Sequence, residues 1–148
     1  MPPQVRRGLL SAAFPVPPDK DAAYRASGDA FLKLLGIMHE RGIRIVAGTD
    51  NVLPGFDTVR ELELYVKAGF TPAAALQAAT IVPARVMKVG DQFGSLAPGK
   101  IADAVVIHGN PLADISALRR AGTTIKGGVL YDTRALYASA GVKAPPLA

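Results

Sequence analysis

Cysteine is absent from the 148 residues, which excludes disulfides and thiolate metal ligands and leaves the compartment open. No apolar run approaches the roughly 20 residues of a membrane-spanning helix. The nearest thing to a leader, Gly8-Leu9-Leu10-Ser11-Ala12-Ala13-Phe14 after Arg6-Arg7, is about 7 residues long, and prolines flank it. No cleaved signal is expected, and a cytoplasmic location is the default. The chain has two histidines, His39 and His108, and neither sits in an H-x-H or H-E-x-x-H spacing. Both read as surface or turn residues. The net charge is +5, but apart from Arg6-Arg7 and Arg119-Arg120 the basic residues are scattered. Nucleic-acid binders gather their charge along a helix or beside aromatics, so a solvated surface is the better reading.

What is present argues for a folded protein. Apolar residues make up 49% of the chain, and its length suits one ordinary domain. A complete β/α barrel takes about 250 residues, so any barrel here is partial. Residues 1–18 carry Pro2, Pro3, Pro15, Pro17 and Pro18 and read as a loop or extended arm. Ser27 is a candidate N-cap for a helix over 28–41, with Phe31, Leu34, Leu35 and Met38 forming its apolar face and Gly42 ending it.

The stretch that organises the chain comes next: Gly42-Ile43-Arg44-Ile45-Val46-Ala47-Gly48-Thr49-Asp50. It predicts a short buried strand over 43–47 with a carboxylate at its C-terminal end, where the catalytic residues of β/α barrels collect. An aspartate among turn formers is equally able to cap a turn, so Asp50 has a structural reading beside the functional one. Asp57 or Thr58 opens a helix to about residue 68, with Val59, Leu62, Tyr65 and Val66 inward and Arg60, Glu61, Glu63 and Lys67 mostly outward. Thr71-Pro72 starts an alanine-rich helix, and Pro83 restarts a shorter one. From Gly90 to Asp132 short apolar runs alternate with turns, which predicts strands over 102–107 and on both sides of Gly127-Gly128, and a helical turn over 115–120. Residues 133–148 form a tail, and there is no internal repeat.

Two further motifs need weighing. Gly94-Ser95-Leu96-Ala97-Pro98-Gly99-Lys100 satisfies most of a phosphate-binding loop, but Ile101 replaces the metal-binding hydroxyl and a β-type run comes after it in place of a helix. A phosphate loop is rejected. Glu61 and Glu63, two apart on a helix, point in different directions and make no carboxylate pair. Glu61 still has the reach to approach the strand end, and it reads equally as a solvated helix residue.

Taken in order, Ala47-Gly48-Thr49-Asp50, Glu61-Leu62, Ala68-Gly69-Phe70-Thr71-Pro72 and Ala75-Leu76-Gln77-Ala78-Ala79-Thr80 resemble the C-terminal part of the amidohydrolase superfamily. Pro83-Ala84, Gly94-Ser95-Leu96, Pro98-Gly99-Lys100, Ala102-Asp103 and Asn110-Pro111-Leu112 continue the match. The flavour is that of the imidazolonepropionase-like and prolidase-like branch. The resemblance implies an α/β fold, the C-terminal part of a (β/α)8 metallo-hydrolase barrel over 1–89 with part of a small flanking β domain over 90–132. Asp50 would then end the eighth barrel strand. It would bind a divalent metal, zinc by expectation, and pass a proton from the attacking water to the leaving amine of a C–N bond. Asn51, Arg60 and Glu61 become candidate substrate contacts.

The family's H-x-H pair and its mid-barrel histidines have no counterpart here, and one carboxylate cannot hold a zinc that takes three protein ligands. The chain therefore reads as a truncated or subunit-like piece, inactive alone and holding no metal stably. It would depend on a missing N-terminal barrel portion, would be marginally stable or homo-oligomeric, and would act on a small amide, cyclic amide or dipeptide only within a complete enzyme. Neither nucleic acid nor membrane is an expected partner. The rival reading is a non-catalytic assembly or binding module that retains the amidohydrolase-like remnant.

Overall fold

The computed structural model describes residues 16–49 and 56–147. Pro18 opens a 3-10 turn, Pro18–Lys20, that runs straight into helix α1, Asp21–Glu40. The helix thus begins well before Ser27. That serine is not a cap: its hydroxyl donates back to the Ala23 carbonyl at 2.9 Å, a bond made inside a helix that is already formed. The other end is as expected. Gly42, at φ +75°, lets its own N–H reach the His39 carbonyl (2.9 Å) and the Ile43 N–H reach that of Met38 (3.0 Å). This is the two-bond Schellman arrangement, which only a residue at ease with positive φ permits.

The apolar face of α1 is only partly used. Leu35 packs on the core, but Phe31 is 73% exposed and Leu34 52%. The buried residue is Gly36. A β carbon built there would stand 2.3 Å from the Ala68 carbonyl oxygen, so backbone meets backbone where the helix crosses the end of its neighbour.

That neighbour is helix α2, Phe56–Lys67, closed at Gly69 by a second Schellman pair, Gly69 N–H to Val66 and Phe70 N–H to Tyr65. Thr71 then caps helix α3, Pro72–Ala78, by accepting the Ala74 N–H at 3.1 Å. Helix α4, Ile81–Val86, comes after it. The core is built where these elements meet: Leu62, Tyr65, Phe70, Ala75 and Ala78, joined by Ile115, with Leu35, Ile45, Ala47 and Leu118 around it. The alanines let α3 approach closely, as its composition predicts. No helix among the described residues is long and apolar enough to cross a membrane.

The run over 43–47 departs from expectation. It is extended, and Ile45 and Ala47 pack on the core, but it belongs to no ladder. The Ala47 N–H bonds to the Ala78 carbonyl at 2.9 Å, an end-of-helix oxygen and not a strand. The physical reason is simple: a strand exists only beside another edge, and among the described residues none lies there.

The strands that do form are β1 (Ala104–Ile107), β2 (Ala121–Lys126) and β3 (Val129–Asp132), an antiparallel sheet in the order β1-β2-β3. Gly127 and Gly128, at φ +57° and +84°, make the two-residue hairpin that Thr123-to-Tyr131 predicts. Asp103 fastens it from the side: one oxygen takes the Gly127 N–H at 2.7 Å, the other the Lys126 ammonium. The residues over 115–119 form the expected helical turn, and helix α5, Thr133–Ser139, is capped by Asp132.

Candidate functional site

The extended run is held by helix α2. Glu61 and Tyr65 lie four apart and so share one face of it. Tyr65 donates its hydroxyl hydrogen to Glu61 Oε1 at 2.6 Å, and the same carboxylate oxygen accepts the Gly48 N–H at 3.3 Å. The Tyr65 hydroxyl also lies 3.3 Å from the Val46 carbonyl oxygen. Burial first, and then the bond and charge of Glu61, push the Tyr65 hydroxyl well above the ordinary phenol range, so it stays a donor at every physiological pH. Behind it the rings continue: Tyr65 stacks on Phe70 at 5.0 Å between centroids, and Phe70 on His39 at 3.8 Å. His39 is therefore a packing residue at the edge of the core.

Glu61 Oε2 is buried and has no hydrogen-bond partner. A buried carboxylate oxygen left without a donor is costly and rarely idle. Glu61 faces the end of the run that leads to Asp50. Asp50 and Asn51 themselves lie outside the described residues, as does the 1–15 segment with its short apolar stretch.

The other candidates separate cleanly. Arg60 is exposed and points along its helix to Glu63 at 3.3 Å. Glu63, expected in solvent, is largely covered instead. Arg119 grips it with two bonds of 2.9 Å from the turn before β2, and this pairing holds the carboxyl below its usual range. His108 exchanges bonds with Arg120, N–H to carbonyl and guanidinium to carbonyl, and its ring covers Gly122. Lys100 closes its own loop by donating to the Gly90 carbonyl and the Ser95 hydroxyl. Gly94 leaves no space for a β carbon against Ala84 and Thr80. The phosphate-loop likeness is thus a structural turn packed on α4.

Among the described residues no three His, Cys, Asp or Glu side chains come together as a metal site. The buried, unpartnered carboxylate oxygen of Glu61 does not make a centre by itself, so the described residues do not by themselves fit a catalytic metal. A hollow of about 520 Å³ between α2, α3, the sheet and α5 is lined by Val59, Leu62, Leu76, Val105, Leu136 and Tyr137 among others, and no carboxylate, histidine, lysine or arginine is among its lining residues. It offers shape without chemistry. Sequence reasoning placed Tyr65 in the core and missed its hydroxyl; the i,i+4 spacing from Glu61 was the available signal.

The chain has relatives among known proteins. The chain is 36% identical over 115 residues to the ochratoxinase of Aspergillus niger, covering 74% of this chain and 24% of that protein. It is 41% identical over 58 residues to adenine deaminase 2 of Jannaschia sp., covering 39% and 9%. Among solved structures, a Xaa-Pro dipeptidase with bound methionine in its active site superposes with a TM-score of 0.63 at 33% identity, over 68% of this chain and 25% of that one. Molinate hydrolase superposes at 0.52 and 35% identity, over 54% and 17%. The chain thus spans about a quarter of the ochratoxinase and of the dipeptidase. The profile of the amidohydrolase family, whose members are generally metal-dependent hydrolases, matches residues 22–130, and with the relatives' agreement it establishes that this chain belongs to that family.

Proposed function

We propose that this chain supplies the strand-eight end of a hydrolase of C–N bonds in amides, cyclic amides or dipeptides, with Asp50 as its catalytic carboxylate. The observation that supports it most is the hold of Glu61 and Tyr65 on the backbone at Val46 and Gly48, directly before Asp50. A carboxylate with one oxygen buried and unpartnered, and the other on a backbone amide, serves to hold that backbone. Asp50 takes a proton from the attacking water and gives it to the nitrogen of the breaking C–N bond, so that a neutral amine leaves in place of an anion. The family's divalent metal, zinc by expectation, would need ligands beyond the described residues, and the rest of the barrel would bring them.

In this reading residues 1–89 are the C-terminal part of the barrel, 90–132 part of the small β domain, and 133–148 a tail. The chain alone is inactive. Exposed Phe31 and Leu34 on α1 are the faces the rest of the barrel would cover; if they instead meet a second copy, the chain is an assembly module. A native mass measurement separates the two.

The decisive test is a graft. The part of the Xaa-Pro dipeptidase that superposes on this chain is replaced by this chain's residues, and hydrolysis of a Xaa-Pro dipeptide is measured with zinc. The graft should hydrolyse, and Asp50→Asn should lower kcat by about 10²–10⁴-fold. A folded, zinc-loaded graft indifferent to Asp50→Asn would overturn the assignment, and zinc-dependent hydrolysis by this chain alone would overturn its incompleteness.

A further inference from the structure

We infer that Glu61 and Tyr65 are positioning residues that set the backbone at Gly48, two residues before Asp50 in the chain, the carboxylate acting on the Gly48 amide and the hydroxyl locking the carboxylate. The inference rests on the proposed role of Asp50 and deepens it.

Three observations lead here. The run over 43–47 pairs with no strand among the described residues, and past Ala47 a side chain holds its backbone. After the Ala47 bond to Ala78, the Gly48 N–H is the next backbone donor, and it goes to Glu61 Oε1. That oxygen is itself fixed by the Tyr65 hydroxyl at 2.6 Å, and Tyr65 is fixed by its stack on Phe70 within the core. A rigid chain of contacts therefore runs from the core to a peptide two residues before Asp50. The unpartnered Oε2 shows that the carboxylate is not there to satisfy its own bonding: all its bonding is on Oε1, and its second oxygen stays buried and bare. A residue chosen for packing or solvation alone would not be left so. The alternative role, direct contact with substrate, fits less well, because Oε1 is already shared by two donors and Oε2 is shielded from solvent.

The charge is not needed for this work. Glutamine keeps an oxygen in the Oε1 place and puts an N–H₂ in the bare one, so it should preserve the hold, whereas leucine keeps bulk and removes both acceptors.

The test reads two quantities. In this chain, amide hydrogen exchange at Gly48 is compared in Glu61→Gln, Glu61→Leu and Tyr65→Phe. Glu61→Leu should speed exchange at Gly48 by about tenfold, as loss of a bond to a charged acceptor implies, with amides in mid-α2 unchanged. Glu61→Gln should stay near the parent, and Tyr65→Phe should fall between. In the dipeptidase graft, Glu61→Leu should lower kcat with KM little changed, and glutamine should restore it. Unchanged exchange at Gly48 in a folded Glu61→Leu protein would overturn the inference. So would faster exchange with an undiminished kcat in the graft. If Glu61→Leu does not fold, Tyr65→Phe decides by the same criteria. An unmutated graft with no hydrolysis would fault the proposed function instead, and the Gly48 exchange would still decide whether the hold exists.

Discussion

The stretches over 43–47 and Ala104–Ile107 have nearly the same character, β-branched and apolar, yet only the second is a strand. Strand β1 lies against β2 in register, Val105 opposite Thr124, and β2 is paired on its other side as well. The earlier run bonds to two helix ends, through Ile43 to Met38 and through Ala47 to Ala78, and to the Tyr65 hydroxyl through Val46, with Gly48 just beyond it on the Glu61 carboxylate. Sequence pattern makes a chain extended, while the neighbouring edge makes it a strand. Among the described residues no edge lies beside the earlier run, and there Glu61 and Tyr65 of α2 bond to its backbone.

The largest effect should come from attacking the ladder. Thr124→Pro removes an N–H in the central strand and the hydroxyl that meets Thr133 at 2.9 Å. Each lost partner costs about 1–3 kcal/mol, so denaturant unfolding should show about 3 kcal/mol or more of destabilisation.

Second comes the tie between the two regions. Glu63→Gln leaves Arg119 without its paired carboxylate, at about 1–3 kcal/mol. Because the fold lowers the Glu63 carboxyl below its ordinary 4.5, the pair's contribution is complete above that pH and disappears as acid protonates Glu63 in the folded state. The gap in Tm between parent and variant should therefore be widest near neutrality and close as pH falls below that value.

The smallest effect should be Ala47→Pro, which removes the single bond to Ala78, at about 0.5–1.5 kcal/mol by the same unfolding measurement. If it costs as much as Thr124→Pro, the 43–47 run is a paired strand in solution and the contrast collapses.

Local signals were readable in advance wherever chemistry is local. Gly42 and Gly69 stop their helices, Thr71 caps the next, and Gly127-Gly128 turns the hairpin, because each depends on a few adjacent residues. The inward face of α2 was correctly read at Leu62 and Tyr65. What escaped depends on distant partners. Glu63 meets an arginine 56 positions away, and nothing in helical spacing announces that. The 43–47 strand failed because its edge is supplied by another element, and Ser27 misled because a hydroxyl that caps a helix also sits comfortably inside one. Of the site, the carboxylate of Glu61 was within reach of sequence reasoning, but its direction, toward the Gly48 amide, was not.

Gly36 carries one last consequence, for anyone who would strengthen α1 by composition. The helix contains two glycines, and the usual gain from replacing such a residue by alanine is about 1 kcal/mol. At Gly28 the surroundings are open, so that rule stands. At Gly36 the oxygen of Ala68 already occupies the methyl's place, and the same exchange would prise the two helices apart. Propensity and packing give opposite answers eight residues apart on one helix, and only the second glycine is irreplaceable.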